Sequence, residues 1–169
     1  MKKTMMTWVL ALAAILSMQA QSLEGNWQSE KQMEGVKMDY FLNFEGNQMS
    51  QSVVFTCEKE IGTVSILFSV PAQSYTPGAT QLKFAFDASK TEVKFKEVKF
   101  NEASKEAIKE NPSLENLMKQ LVLDDFEEQK ETVAKQFLFR GERTIANQTA
   151  QSFELKDSDG NTYLFKKEK

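Results

Sequence analysis

The chain has 169 residues, with 24 acidic and 21 basic side chains and a formal net charge of −3. A net negative charge opposes binding to nucleic acid or to anionic membrane surfaces, so neither is expected as a partner. The absence of histidine and the single cysteine, Cys57, exclude Ser-His-Asp and Cys-His nucleophilic sites as usually built, and also an internal disulfide.

The N-terminus has the pattern of a secretory signal. Lys2 and Lys3 precede an uninterrupted apolar run of nine residues, from Trp8 to Leu16, which is too short to cross a bilayer as a helix. We expect residues 1–20 to be a cleaved signal peptide with the cut after Ala20, an uncleaved anchor being the alternative. The expected product is a periplasmic or secreted domain, residues 21–169, with net charge −5 and no integral membrane span.

Apolar and polar side chains alternate through the first half of that domain, which is the pattern of half-buried β-strands. The segments run from Val36 to Phe44, Met49 to Cys57, Val64 to Val70, Leu82 to Phe86 and Val93 to Phe100. The alternation changes phase around Lys96-Glu97, which predicts a bulge or bend. Residues 71–79, from Pro71 to Ala79, are predicted to form a loop.

A helical segment is predicted over residues 101–138. Asn101 is placed to cap a short helix that ends before Pro112, and Ser113 to cap a second one. The apolar residues spaced for one face of the second helix are Leu114, Leu117, Met118 and Leu121, and Phe126, Val133 and Phe137 roughly continue that face. The charged residues that follow indicate a hydrated outer face, so we expect this helix to cover one opening or side of the sheet.

Strands return at the end of the chain, over residues 143–147, 152–156 and 162–166. The turn Asp157-Ser158-Asp159-Gly160 between the last two predicts a hairpin, in preference to a calcium loop. Eight or nine short strands with one helical insertion predict a mainly β fold. We expect an antiparallel eight-stranded barrel with the helical segment before the last strands, and a β-sandwich is the alternative.

The start of the mature domain, Leu23-Glu24-Gly25-Asn26-Trp27, resembles the opening Gly-x-Trp motif of lipocalins and their calycin relatives, and the final hairpin is similar to that of exported bacterial lipocalin-like proteins. The resemblance implies a single lipocalin-like barrel with Gly25 and Trp27 at its floor. It also implies an arginine near the last strand that packs on Trp27. Arg140 and Arg143 are the only arginines of the chain.

The chain is rich in phenylalanine, with 13 residues, many on the predicted inner face. Such a face either forms an ordinary core or lines a cavity for one small apolar ligand. The predicted ligand-binding residues are Met38, Tyr40, Phe55, Ile66, Phe68, Phe84, Phe86, Phe95 and Phe153. The first hypothesis is therefore an exported carrier of an apolar ligand. The second is a structural or interaction protein of the cell envelope that contacts partners through residues 71–79 and Tyr75.

Catalysis is not predicted. The seven glycines are scattered and form no phosphate-binding loop, and no spacing singles out a pair among the 24 acidic residues, although a carboxylate-pair enzyme stays a third hypothesis. Cys57 lies in phase with Phe55 and is expected to be an inert buried thiol. We expect no metal site and no cofactor.

Overall fold

A computed structural model describes residues 22–168, so the predicted signal peptide lies outside the described residues. This part of the chain forms ten strands, a short 3-10 turn and two helices. The strands are β1 (Gly25–Met33), β2 (Val36–Glu45), β3 (Gln48–Lys59), β4 (Gly62–Ser69), β5 (Gln73–Ser74), β6 (Gln81–Phe84), β7 (Glu92–Phe100), β8 (Gly141–Ala146), β9 (Ser152–Lys156) and β10 (Thr162–Lys167). The turn is Ala88–Lys90, and the helices are α1 (Glu102–Glu110) and α2 (Leu114–Phe137).

All strands pair antiparallel in one sheet of order β6-β8-β9-β10-β1-β2-β3-β4-β7, and β5 pairs with the start of β3. The fold is therefore mainly β, as predicted. The predicted closure into an eight-stranded barrel is not seen, because the described residues of β6 and β7 do not pair and remain the two edges of an open sheet. Features of both edge strands disfavour pairing between them. Strand β6 is only four residues long, and β7 carries charged side chains along its length.

The open sheet is curled tightly on itself. Phe153 of β9 and Phe44 of β2 are three strands apart, which corresponds to about 14 Å in a flat sheet. Their ring centroids are only 6.5 Å apart. The two flanks of the sheet thus share one core, an arrangement that also fits the predicted alternative of two facing layers.

Side-chain alternation places the core as the sequence predicts. The even-numbered residues of β2 from Met38 to Phe44 are buried, as are those of β4 from Val64 to Phe68. The predicted bulge in β7 is confirmed: Glu97 pairs with Ser65 and Phe95 with Ile66, which leaves one residue of β7 unmatched.

Of the two predicted helix caps, one is confirmed. The Asn101 side chain accepts a hydrogen bond from the backbone N–H of Ser104 at 2.9 Å and so caps α1. Ser113 makes no capping hydrogen bond, because its own N–H and hydroxyl donate to the Asn111 side chain.

The predicted buried face of α2 is wrong in the first part of the helix and confirmed in the second. Leu117 and Leu121 are 54% and 62% exposed. The predicted continuation of that face, Phe126, Val133 and Phe137, packs against the core together with the buried Ala134. The spacing of the leucines was correct for a helical stripe, but packing of the longer C-terminal half fixes the rotation of the helix. Within residues 22–168 neither helix is long and apolar enough to cross a membrane.

A side chain bridges the open side of the sheet near β6. The amide nitrogen of Gln73 donates to the backbone carbonyl of Lys83, and its carbonyl oxygen accepts from the N–H of Ala85 at 2.9 Å. Since β5 pairs with β3, Gln73 links the free edge of β6 to the middle of the sheet. The curl is therefore fastened by an amide group in place of a continuous backbone ladder.

Gly62, at the start of β4, supplies the first test of this architecture. Its φ is +130°, and a β-carbon would press against the backbone of Lys99 and Asn101. We expect Gly62→Ala to lower the free energy of unfolding by about 3 kcal/mol or more, because the backbone must shift. Gly35 has φ +82° with open space around it, so Gly35→Ala is the matched control and should cost about 1 kcal/mol. Equal losses in urea unfolding would contradict the close approach of β4 to β7.

Candidate functional site

The predicted ligand-binding residues converge on one interior. Seven of the nine are buried: Met38, Tyr40, Phe55, Ile66, Phe68, Phe84 and Phe153. The other two, Phe86 and Phe95, are partly buried and pack against the same core. The structure thus brings this set together as predicted, but it also brings additional rings into the space between them.

Phe139, which the sequence analysis did not single out, lies at the centre of that interior. It is 4% exposed and follows α2 directly. Its ring centroid is 5.3 Å from that of Tyr40, 5.5 Å from Phe84, 4.9 Å from Tyr163 and 5.9 Å from Phe165. One side chain therefore packs against rings of β2, β6 and β10.

A buried glutamine holds Phe139 in position. The Gln51 amide nitrogen donates to the backbone carbonyl of Phe139 at 3.0 Å, and its oxygen accepts from the Phe139 N–H at 2.9 Å. Gln51 is 5% exposed and lies on the inward face of β3. The Gln51 side chain hydrogen-bonds to this backbone as a neighbouring strand would. The buried N–H and carbonyl of Phe139, which belongs to no strand, therefore both have hydrogen-bond partners.

Helix α2 covers the side of the interior next to β3 and β4. The Phe137 ring lies 5.0 Å from Phe55, and the Phe126 ring lies 5.9 Å from Phe68. At the rim the Lys59 ammonium is 2.8 Å from a carboxylate oxygen of Asp125, and this contact lowers the pKa of Asp125. The prediction that the helix covers one side of the sheet is confirmed.

The Gly25-x-Trp27 segment lies at the start of β1, where it packs against the end of β10. The Trp27 indole N–H donates to the Leu23 carbonyl at 2.5 Å, and the Lys167 ammonium lies 5.4 Å from the indole centroid. Gly25 has φ +106°, and a β-carbon there would meet the Lys167 side chain at 3.1 Å. Glycine is therefore needed both for its backbone angle and for the approach of the lysine.

The expected arginine contact with Trp27 is wrong. Arg140 lies over the ring of Phe86 at 5.9 Å, and Arg143 donates to the Glu142 carbonyl. Both precede β9, whereas Lys167 ends β10 and pairs directly with Trp27 in the ladder. Register explains why the lysine is the cation that reaches the indole face.

Tyr40 is a buried titratable group whose ionised form is disfavoured by its surroundings. Its hydroxyl has the Met38 sulfur as a partner at 3.6 Å, and burial raises its pKa well above the ordinary value of 10.0. Burial also raises the pKa of the Cys57 thiol, which disfavours the reactive thiolate. Neither group is poised for acid–base or nucleophilic chemistry near neutral pH.

Acidic side chains are candidate metal ligands or parts of turns. Among residues 22–168 no three His, Cys, Asp or Glu side chains are arranged to hold a metal ion. The Asp157 carboxylate accepts from the backbone N–H groups of Asp159 and Asn161 and from the Asn161 amide. The turn thus uses this carboxylate to hold its own backbone.

Among the grooves on the surface of residues 22–168, three lie outside the packed core. One of about 670 Å³ lies between β1 and β10, beside Tyr163 and Leu164. A second of about 640 Å³ crosses the outer face of β2, β3, β4 and β7, and a third of about 510 Å³ lies beside Phe84, Phe86 and Arg140. Only the third is lined by any of the predicted ligand-binding residues.

Comparison of the chain with models of protein families, with curated proteins and with solved structures gives no match.

Sequence reasoning missed Gln51, Phe139 and Lys167. Gln51 carried a readable signal, since it is a polar residue in phase with the inward-facing Met49, Val53 and Phe55. Phe139 stands at the end of an apolar triplet after the helix, but nothing local says that this triplet enters the sheet. Lys167 depends on strand register, which the sequence alone left undetermined.

Replacement of Gln51 tests the glutamine clamp. We expect Gln51→Ala to lower the free energy of unfolding by about 3 kcal/mol or more, because it leaves a buried N–H and a buried carbonyl of Phe139 without partners. Gln136, an exposed residue of α2, gives the control Gln136→Ala, for which no loss is expected. Chemical unfolding decides, and a Gln51 variant as stable as the control would remove the clamp from this account.

The buried Tyr40 hydroxyl is expected to make the free energy of unfolding fall at alkaline pH. Because its pKa is higher in the folded state than the ordinary 10.0, its contribution is complete below pH 10 and is lost as the pH rises further. Wild-type protein should therefore lose more stability above pH 10 than Tyr40→Phe, in which lysine titration is unchanged. Parallel loss in both proteins, measured by urea unfolding across this range, would show that the Tyr40 hydroxyl is not shielded from water.

Proposed function

We propose that this chain is an exported, non-catalytic interaction protein of the cell envelope, built on a lipocalin-like curled sheet with a filled interior. The observation that carries the proposal is the ring of Phe139, seated among Tyr40, Phe84, Tyr163 and Phe165 where a carrier would hold its ligand. A protein whose centre is occupied by its own side chains acts through its surface.

The lipocalin-like part of the proposal is supported by the first strand and its neighbours. Strands β1 to β4 follow one another in space as they do in the chain, and Gly25-x-Trp27 joins β1 to the cation at the end of β10. The bridge from Gln73 to β6 brings the open sheet close to the barrel that the resemblance implies. Export rests on the N-terminal sequence pattern and would place the domain in the periplasm or outside the cell.

Absence of catalysis is supported by the state of the groups that could react. The chain has no histidine, and the pKa of its one thiol is raised by burial. Two acidic groups with lowered pKa values are engaged in structural contacts. Asp125 pairs with Lys59, and Asp157 accepts hydrogen bonds within its own turn. No nucleophile with an adjacent base follows from these contacts.

The proposal changes the expected role of residues 71–79. This loop, which carries Tyr75, was predicted as a contact surface, but the Tyr75 ring packs on Phe44 with 5.0 Å between the ring centroids and the residue is only partly exposed. This loop also contributes β5 and Gln73 to the sheet. These contacts give the loop a structural role, and the proposed interaction surface therefore lies elsewhere on the molecule.

A carrier of a small apolar molecule is the second candidate, and the groove beside Phe86 favours it. This groove of about 510 Å³ reaches the buried Phe84, and the Arg140 guanidinium lies 5.9 Å from the Phe86 ring. An aromatic floor beside a cation suits an apolar molecule with an anionic group. Such a ligand would enter from the edge of the sheet at β6.

A dye titration with a designed cavity separates the two candidates. Wild-type protein should not bind 1-aminoanthracene, an uncharged aromatic dye, whereas Phe139→Ala should bind it, because a dry apolar cavity takes up small aromatic molecules. Solvent extracts of the purified wild-type protein should contain no stoichiometric apolar compound by mass spectrometry. Dye binding by the wild type, displaced by an extracted lipid, would overturn the interaction proposal in favour of the carrier.

A further inference from the structure

The seam between β1 and β10 has a short ladder. Strand β1 pairs with β2 over its whole length, from Gly25 to Met33, but its register with β10 covers only Trp27 and Gln28, and one further hydrogen bond runs from the Glu168 N–H to the Asn26 carbonyl. Strand β10 in turn pairs with β9 from Thr162 to Lys166. In the described structure, residues 29–33 and 162–165 thus face one another as strand edges without a ladder between them.

A groove fills the space where this ladder is missing. It has a volume of about 670 Å³ and is lined by residues 28–31 of β1 and by residues 161–164 and 166–168, which belong to β10 and its two flanks. Its lining includes the inward-facing Ser29 and Tyr163 as well as the outward-facing Leu164, so it reaches through the wall of the sheet. Leu164 is 50% exposed there, a large apolar side chain without cover.

The charge around the groove is opposite to that of the whole protein. Lys31, Lys166 and Lys167 line it, and none forms an ion pair within residues 22–168, where Lys31 and Lys167 instead lie over the rings of Tyr163 and Trp27. Glu30 forms an ion pair with Lys37 at 3.0 Å, and among residues 22–168 the other carboxylate of the lining, that of Glu168, has no ion-pair partner. Local positive charge in an acidic protein favours an anionic occupant.

We propose that the groove between β1 and β10 binds an extended, acidic peptide segment of a partner protein, which adds a strand to the free edges of the seam. Exposed strand edges supply backbone hydrogen bonds, and alternate side chains of the added strand fall on opposite sides. Acidic side chains on the inward side of the added strand meet Lys31 and Lys167, which lie over the rings of Tyr163 and Trp27, and apolar side chains on the outward side lie on Leu164. The inference rests on the proposed function and names its surface and partner chemistry.

The test uses the mature protein and a fluorescein-labelled peptide that alternates Glu and Val. We expect binding by fluorescence anisotropy, weakened by salt, and slowed hydrogen exchange at the amides of residues 29–33 and 162–165. The same peptide with Lys in place of Glu should not bind. A version with N-methylated backbone should also fail, because it cannot donate hydrogen bonds to a strand edge.

Charge reversal at the seam supplies the matched variants. Lys31→Glu with Lys166→Glu should weaken acidic-peptide binding about tenfold or more. Lys90→Glu with Lys109→Glu changes the net charge by the same amount far from the groove and should leave binding unchanged. Equal affinity in the two variants, equal binding of the basic or N-methylated peptide, or no binding at all would overturn the inference.

Failure here is distinguishable from failure of the proposed function. A photo-cross-linker at Leu164 and another at the exposed Leu121 of α2 report on two different surfaces. If envelope partners are captured only by the cross-linker at Leu121 and the acidic peptide does not bind, the groove between β1 and β10 is refuted as a peptide site. The proposed function as an interaction protein would then still stand. Dye binding in the wild-type interior would refute the proposed function whatever the peptide does.

Discussion

The double hydrogen bond between the Gln51 amide and the backbone of Phe139 is the constraint on which the interior depends. It fixes a segment that belongs to no strand at a depth where unpaired backbone groups would be costly. With the backbone held, the Phe139 ring has a defined place among residues from three strands. Helix α2, which ends directly before this segment, is thereby set against β3 and β4.

The same physical device appears twice in the molecule. Gln73 offers its amide to the backbone of β6 just as Gln51 offers its amide to Phe139. In both places a side chain supplies the donor and the acceptor of a missing strand neighbour. An open sheet can therefore be strongly curled without closing into a barrel, and its two backbone edges stay short or charged, which limits pairing with other chains.

Much of the fold could be predicted from local pattern. Period-two alternation identified the inward residues of β2 to β4, and the change of phase at Lys96-Glu97 identified the bulge in β7. The predictions of barrel closure and of a buried first part of α2 were wrong for a common reason. Both depend on how distant segments meet, and the exposed Leu117 and Leu121 carry the same local spacing as a buried stripe.

The candidate site divides in the same way. The aromatic set around Tyr40 was predicted because each member follows its own strand's alternation, whereas Phe139 and Lys167 reach the core or the indole only through tertiary register. Whether the aromatic set lines a cavity or fills one was open in the sequence, because the answer rests on one residue that arrives from outside the strands.

Native-state hydrogen exchange of the Phe139 amide tests the central claim most directly. If Gln51 holds this amide in a filled interior, it should exchange only through global unfolding, as slowly as the amides at the centre of β2 and β3. Exchange at the faster rate of surface loops such as residues 157–161 would show that the segment after α2 opens independently and that the interior is not permanently occupied.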